Sequence, residues 1–142
     1  MLPSRPLIKL LLADDDADDI DLFKEATTAS TDPINLVCVN NGVELLQHLF
    51  SGETIFDIVV MDMNMPGKDG LECITEIRTN PSTATLPIIV FSTSDYESRI
   101  RESLDAGANH YIVKPSTFEG LLNTINLIYQ TAVEYLLTGE KR

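Results

Sequence analysis

Asp62 stands at the end of an apolar run, Ile58-Val59-Val60-Met61, and the chain breaks a few residues later at Pro66-Gly67. A short, unalternating apolar run of this kind reads as a strand buried on both faces of a parallel sheet. A carboxylate where such a strand meets its loop is costly unless a cation, a metal or a reaction uses it. Three other apolar runs end the same way. Leu7–Ala13 runs into Asp14-Asp15-Asp16, Pro87–Phe91 into Ser92, and His110–Val113 into Lys114. If folding gathers Asp14, Asp15 and Asp62, the three carboxylates repel one another, and either one stays protonated or a cation neutralises them. Mg²⁺ suits the set, being a hard ion that takes oxygen ligands and few carboxylates. Asp15 and Asp62 are expected as direct ligands, Asp14 as a direct or water-bridged one, with the backbone carbonyl of Asn64 completing the site. An aspartate can itself accept a phosphoryl group, and Asp62 is the expected nucleophile. Mg²⁺ would then cover one phosphoryl oxygen, the Lys114 ammonium a second, and the Ser92 hydroxyl with backbone N–H groups the third.

The elements that must position these residues follow from the pattern between them. Asp18–Ser30 carries Ile20, Leu22, Phe23 and Ala26 at helical spacing, with Asp16 as its cap and acids in its first turn. Asn35–Val39 reads as a second strand, Val43–Phe50 as a short helix and Asp57–Asp62 as the third strand. Gly70–Thr79 repeats helical spacing through Leu71, Ile74 and Ile77. After the fourth strand, Tyr96–Ala106 is helical and stops at Gly107, with Ser94 or Asp95 expected to cap it. Thr117–Leu137 is a long final helix, and Met1–Pro6 reads as a loose leader. Strand and helix thus alternate five times, which implies an α/β fold with a parallel sheet covered by helices on both faces. Ligands bind such doubly wound sheets beyond the carboxyl ends of the strands. Asp14, Asp15, Asp62, Ser92 and Lys114 all fall at that edge.

The chain's 142 residues are expected to form one domain with a core from about 7 to 137. A net charge of −12 argues against direct contact with nucleic acid or an anionic membrane. Cys38 and Cys73 lack metal-ligand spacing and read as reduced core thiols. The first apolar run is too short to span a bilayer, so a cytoplasmic location is expected. Met61, Met63 and Met65 read as packing residues, and His48 and His110 lack partners for ligation.

Four segments together carry a specific resemblance: Ala13-Asp14-Asp15-Asp16, Met61 to Gly70, Phe91-Ser92-Thr93-Ser94, and Tyr111-Ile112-Val113-Lys114-Pro115. From about Leu7 to Leu137 the chain resembles the receiver domain of two-component response regulators. The resemblance implies a flavodoxin-like sheet of five strands in the order 2-1-3-4-5. It implies Asp62 as the residue phosphorylated by a sensor histidine kinase, with the chain catalysing only its own phosphorylation and dephosphorylation. Ser92 and Tyr111 would be the switch pair: the Ser92 hydroxyl moves to the phosphoryl group and Tyr111 swings inward. The signal would leave through the face of helix four, strand five and helix five, toward an unknown downstream protein. Asn64 and Ser94 flank the path of the hydrolytic water and should tune the phosphorylated lifetime. The acidic, stand-alone form is similar to small regulators paired with phytochrome-type kinases.

Other readings stay open at this stage. A phosphorelay intermediate or a phosphorylation-independent binding module would use the same fold. A small Mg²⁺ phosphohydrolase would need a general acid two residues after the nucleophile, where this chain has Asn64. The last helix adds a separate expectation. Leu121, Ile125, Ile128, Ala132 and Tyr135 form one stripe, and Phe118, Leu122, Tyr129, Val133 and Leu136 a neighbouring one. Their combined arc, roughly 160°, exceeds the usual ~100° of a half-buried helix. The second stripe is therefore a candidate homodimer or partner interface.

Overall fold

The computed structural model describes residues 5–138. In chain order the elements are β1 (Ile8–Ala13), α1 (Ala17–Ala29), β2 (Ile34–Val39), α2 (Gly42–Phe50), β3 (Ile58–Met61), α3 (Gly70–Thr79), β4 (Ile88–Ser92), α4 (Glu97–Ala106), β5 (His110–Val113) and α5 (Phe118–Thr138). The five strands are parallel, in the order β2-β1-β3-β4-β5. Strand alternation divides the core in two. Leu11, Ala13, Val59, Met61, Ile88 and Val90 pack with α2 and α3 on one face. Leu10, Leu12, Ile58, Val60, Ile89 and Phe91 pack with α1 and α5 on the other.

Element ends differ from the sequence reading by at most one residue, and the causes are local. Asp16 caps α1, accepting from the Asp18 and Asp19 amides. Asp69 and Glu72 form a capping box that starts α3. Neither Ser94 nor Asp95 caps α4. Its N-cap is Tyr96, with no side-chain bond. The two serine hydroxyls before it are occupied in successive turns, Ser92 Oγ accepting from the Ser94 amide at 3.3 Å and Ser94 Oγ from the Tyr96 amide at 3.4 Å.

Two further expectations need correction. Arg5 and Pro6 are not part of a loose leader; residues 1–4 of that reading lie outside the described residues. Pro6 is buried and its carbonyl accepts from the Tyr129 hydroxyl at 2.7 Å. Arg5 pairs with Asp32 at 2.6 Å and lies over the Tyr129 ring. The second stripe of α5 is largely used inside the chain. Tyr129 is 2% exposed, and Leu122, Val133 and Leu136 pack against the α1/α5 core. The exposed apolar residues of α5 are Phe118, Leu127 and Leu137. At 100° per residue they lie about 80–180° apart around the helix and form no common patch. The wide arc reflects burial against both the sheet and α1.

Candidate functional site

The strand register brings the site together. The Asp14 amide donates to Val39 O at 3.1 Å, the Asp62 amide to Ala13 O at 2.9 Å, and the Lys114 amide to Ser92 O at 2.8 Å. Each bond extends a sheet ladder one residue past its strand. The side chains of Asp14, Asp62 and Lys114 are thereby held at the carboxyl edge by backbone, not by flexible loop. Gly70 closes this edge, its amide donating to Met63 O at 2.8 Å. A Cβ there would stand 2.7 Å from Met63 Cα, so only glycine lets α3 start this near the loop after β3.

Lys114 is the hub. Its Nζ donates to Asp14 Oδ2 at 2.7 Å, to Asp19 Oδ2 at 2.8 Å and to Asp62 Oδ2 at 2.9 Å. Burial opposes the ammonium charge, but the bonds to Asp14, Asp19 and Asp62 outweigh it and hold its pKa well above the ordinary lysine value. Carboxylate oxygens of Asp14, Asp15 and Asp62 lie within 4.8 Å of one another. Asp14 is almost fully buried, and burial raises its pKa despite the opposing bonds from Lys114 and the Asp16 amide. One ammonium thus faces a surplus of negative charge. An all-oxygen set of three carboxylates so close together fits a hard divalent cation and would be relieved by one.

The remaining expected residues occupy the rim. Ser92 is buried, with its hydroxyl turned to the Ser94 amide. The Asn64 amide donates to Asp62 Oδ1 at 3.3 Å, and its own side-chain oxygen accepts from Arg99 at 3.1 Å. Tyr111 does not stand in solvent. It is half-buried against the α2/α3 core, and its hydroxyl donates to the Ser94 carbonyl at 2.7 Å. Two site contacts escaped the sequence reading, Asp19 on Lys114 and Arg99 on Asn64. Asp19 read as a first-turn helix acid; its spacing of five from Asp14, little more than one helical turn, was the available signal.

Comparison with known proteins agrees with this geometry. Residues 10–126 match the family model described as the response regulator receiver domain. The chain is 27% identical to the response regulator Rcp1 of Synechocystis sp. over 86% of each chain. Among solved structures it is similar to the phosphorylated cyanobacterial phytochrome response regulator RcpA, at 32% identity and a TM-score of 0.80, covering 89% of this chain and 94% of that one. It also resembles the Mn²⁺-bound form of Rcp1, at 26% identity and a TM-score of 0.76, covering 85% and 91%.

Proposed function

The chain belongs to the response regulator receiver domain family, and from that premise we propose that Asp62 is its phosphoacceptor, loaded by a sensor histidine kinase in a Mg²⁺-dependent reaction. The observation that carries this reading is the Lys114 ammonium, held 2.9 Å from Asp62 Oδ2 beside the group of three carboxylates. Asp14, Asp15 and Asp62, with the Asn64 carbonyl, would hold Mg²⁺. When bound, Mg²⁺ supplies charge neutralisation for the anionic phosphoryl oxygens. A carboxylate oxygen of Asp62 forms the new bond to phosphorus as the phosphohistidine N–P bond breaks and the imidazole leaves with the electron pair. Lys114 stabilises negative charge on the transferred group, as a preorganised donor in a largely buried setting. Ser92 and the amides of the loop after β3 offer further donors. Hydrolysis of the acyl phosphate resets the switch, with Asn64 and Ser94 tuning its rate from the rim. On this reading the chain alters only its own covalent state.

Output would pass through the α4-β5-α5 face to a downstream protein. Tyr111 supports this, because its hydroxyl ties β5 to Ser94 in the loop that follows Ser92 and β4. The likeness to a phytochrome response regulator supports a phytochrome-type kinase as donor. Among the described residues no helix is long and apolar enough to cross a membrane, the net charge of −12 supports a protein that avoids nucleic acid and anionic lipid, and membership of the receiver family supports a cytoplasmic location. Self-association through α5 would need polar contacts or help from neighbouring elements; light scattering with and without phosphorylation tests it.

The decisive experiment is incubation with Mg²⁺ and acetyl phosphate, followed by intact mass. One added phosphoryl group, absent in Asp62→Asn, supports the switch. No adduct in the wild type favours a phosphorylation-independent binding module. Rapid turnover of many phosphoesters favours a hydrolase.

A further inference from the structure

We propose that Asp19 is a positioning residue that restrains Lys114 in the unphosphorylated protein and gives it up when Asp62 is loaded. The proposal rests on the reading of Asp62 as acceptor and goes beyond it. A lysine ammonium has three N–H donors. All three are committed here, to Asp14 at 2.7 Å, Asp19 at 2.8 Å and Asp62 at 2.9 Å. With the Lys114 side chain only 10% exposed, water supplies no alternative geometry for it. A phosphoryl oxygen that accepts from Lys114 must therefore displace one of the three carboxylates.

Asp62 is itself the acceptor, and with its Oδ1 bonded to phosphorus its Oδ2 can keep the bond to Lys114; of the other two, Asp19 is the one to leave. Asp14 and Asp62 belong to the close carboxylate group, and Asp19 does not. The Asp19 side chain is a third exposed, so its carboxylate has water within reach once released. It also lies in the first turn of α1, where the N-terminal dipole favours a negative charge with or without Lys114. While it remains, it competes for the ammonium with the charge that develops during transfer. In the reaction with acetyl phosphate, an Asp62 oxygen bonds to phosphorus as the acetyl O–P bond breaks, and acetate leaves with the electron pair. The phosphoryl oxygens then need the donor that Asp19 holds. Asp19 is thus a brake on loading, and its release couples α1 to the state of Asp62.

The test compares wild type with Asp19→Asn, which keeps an acceptor but removes the charge. At saturating Mg²⁺ the variant should form the Asp62 adduct from acetyl phosphate about tenfold faster, the scale of one competing charge-assisted hydrogen bond. Its Mg²⁺ affinity should stay within about twofold, since Asp19 lies outside the carboxylate group. Asp19→Glu, which restores a carboxylate on a longer arm, should return the rate toward wild type. Asp19→Ser, a residue well suited to a helix start, repeats the measurement if the Asn variant folds poorly. Adduct formation at or below the wild-type rate in a well-folded, Mg²⁺-binding variant overturns the proposal. An absence of adduct in wild type overturns the reading of Asp62 instead, so the two failures are distinguishable.

Discussion

Lys114 is the only cation bonded to Asp14, Asp19 and Asp62 among the described residues, and its replacement should be felt in two ways. Lys114→Met leaves three carboxylates facing one another in a poorly hydrated edge. The variant should melt below wild type in chelator and gain more from added Mg²⁺ than wild type does. Its rate of phosphorylation by acetyl phosphate should fall by about 100-fold or more, as when a preorganised charge-stabilising donor is removed. Lys114→Arg should not recover that rate, because a planar fork cannot reproduce three converging bonds from one nitrogen. A variant that loads normally would remove Lys114 from the mechanism.

Cys73 gives a second, independent test at this scale. Burial, with Glu76 nearby, pushes its thiol up to about 12. The neutral thiol should therefore alkylate slowly in the native protein at pH 8 and rapidly after unfolding. A raised folded pKa means that the stabilisation is complete below the unfolded value, 9.0, and is lost as pH climbs toward about 12. Measured against Cys73→Ala, the stability advantage of wild type should shrink above pH 9, by at most about 1.4 kcal/mol per pH unit. A constant gap across that range would show that the thiol ionises as easily folded as unfolded.

Among the helices, α4 buries the fewest residues. Ser103 is its one buried residue, its N-terminus lacks a side-chain cap, and Leu104 is exposed. Its C-terminus depends on Gly107, whose φ of +126° disfavours any side chain. Few buried contacts mean a low cost of local opening. Amides of α4 should exchange with deuterium faster than those of α3 or α5, and phosphorylation should change α4 more than α3. Uniform protection across the helices would argue against α4 as an output element. The helices and strands were legible because their periodicities differ and each ends on a capping or breaking residue, as Asp16, Asn41 and Asp69 show. The expected cap of α4 fails because the Ser94 hydroxyl accepts from the amide of Tyr96, the N-cap residue, and not from an amide inside the helix. Less legible still were contacts that join distant segments. Arg78 donates to the carbonyls of Leu86, Ala84 and Gly107 and to Asn109, whose amide reaches Tyr135. A sequence pattern reports which face a residue takes, but not which loop its long side chain will tie down. The acids at the strand ends escaped that limit, because a parallel sheet sends every strand end to one edge. Asp19 did not, since it reaches that edge from a helix.

At the scale of the whole molecule, a net charge of −12 repels itself, and the site concentrates that repulsion at one edge. Two remedies can be separated by experiment. Monovalent salt screens exposed carboxylates everywhere and should raise the melting temperature gradually. A divalent ion bound at Asp14, Asp15 and Asp62 stabilises only the folded chain, because the three carboxylates converge only there. That contribution grows as RT ln(1 + [L]/Kd), about 2.7 kcal/mol at one hundred times Kd. Thermal melts at constant ionic strength should therefore show Mg²⁺ stabilising wild type beyond what NaCl achieves. Asp62→Asn removes one charge from the group and should blunt the Mg²⁺ increment while leaving the NaCl response unchanged. The same substitution should raise the melting temperature measured in chelator, since it relieves the repulsion left over after the single Lys114 ammonium has been shared among the carboxylates. If Mg²⁺ and NaCl act alike at matched ionic strength, the carboxylate group is merely part of an acidic surface, and the metal-dependent reading of Asp62 fails with it.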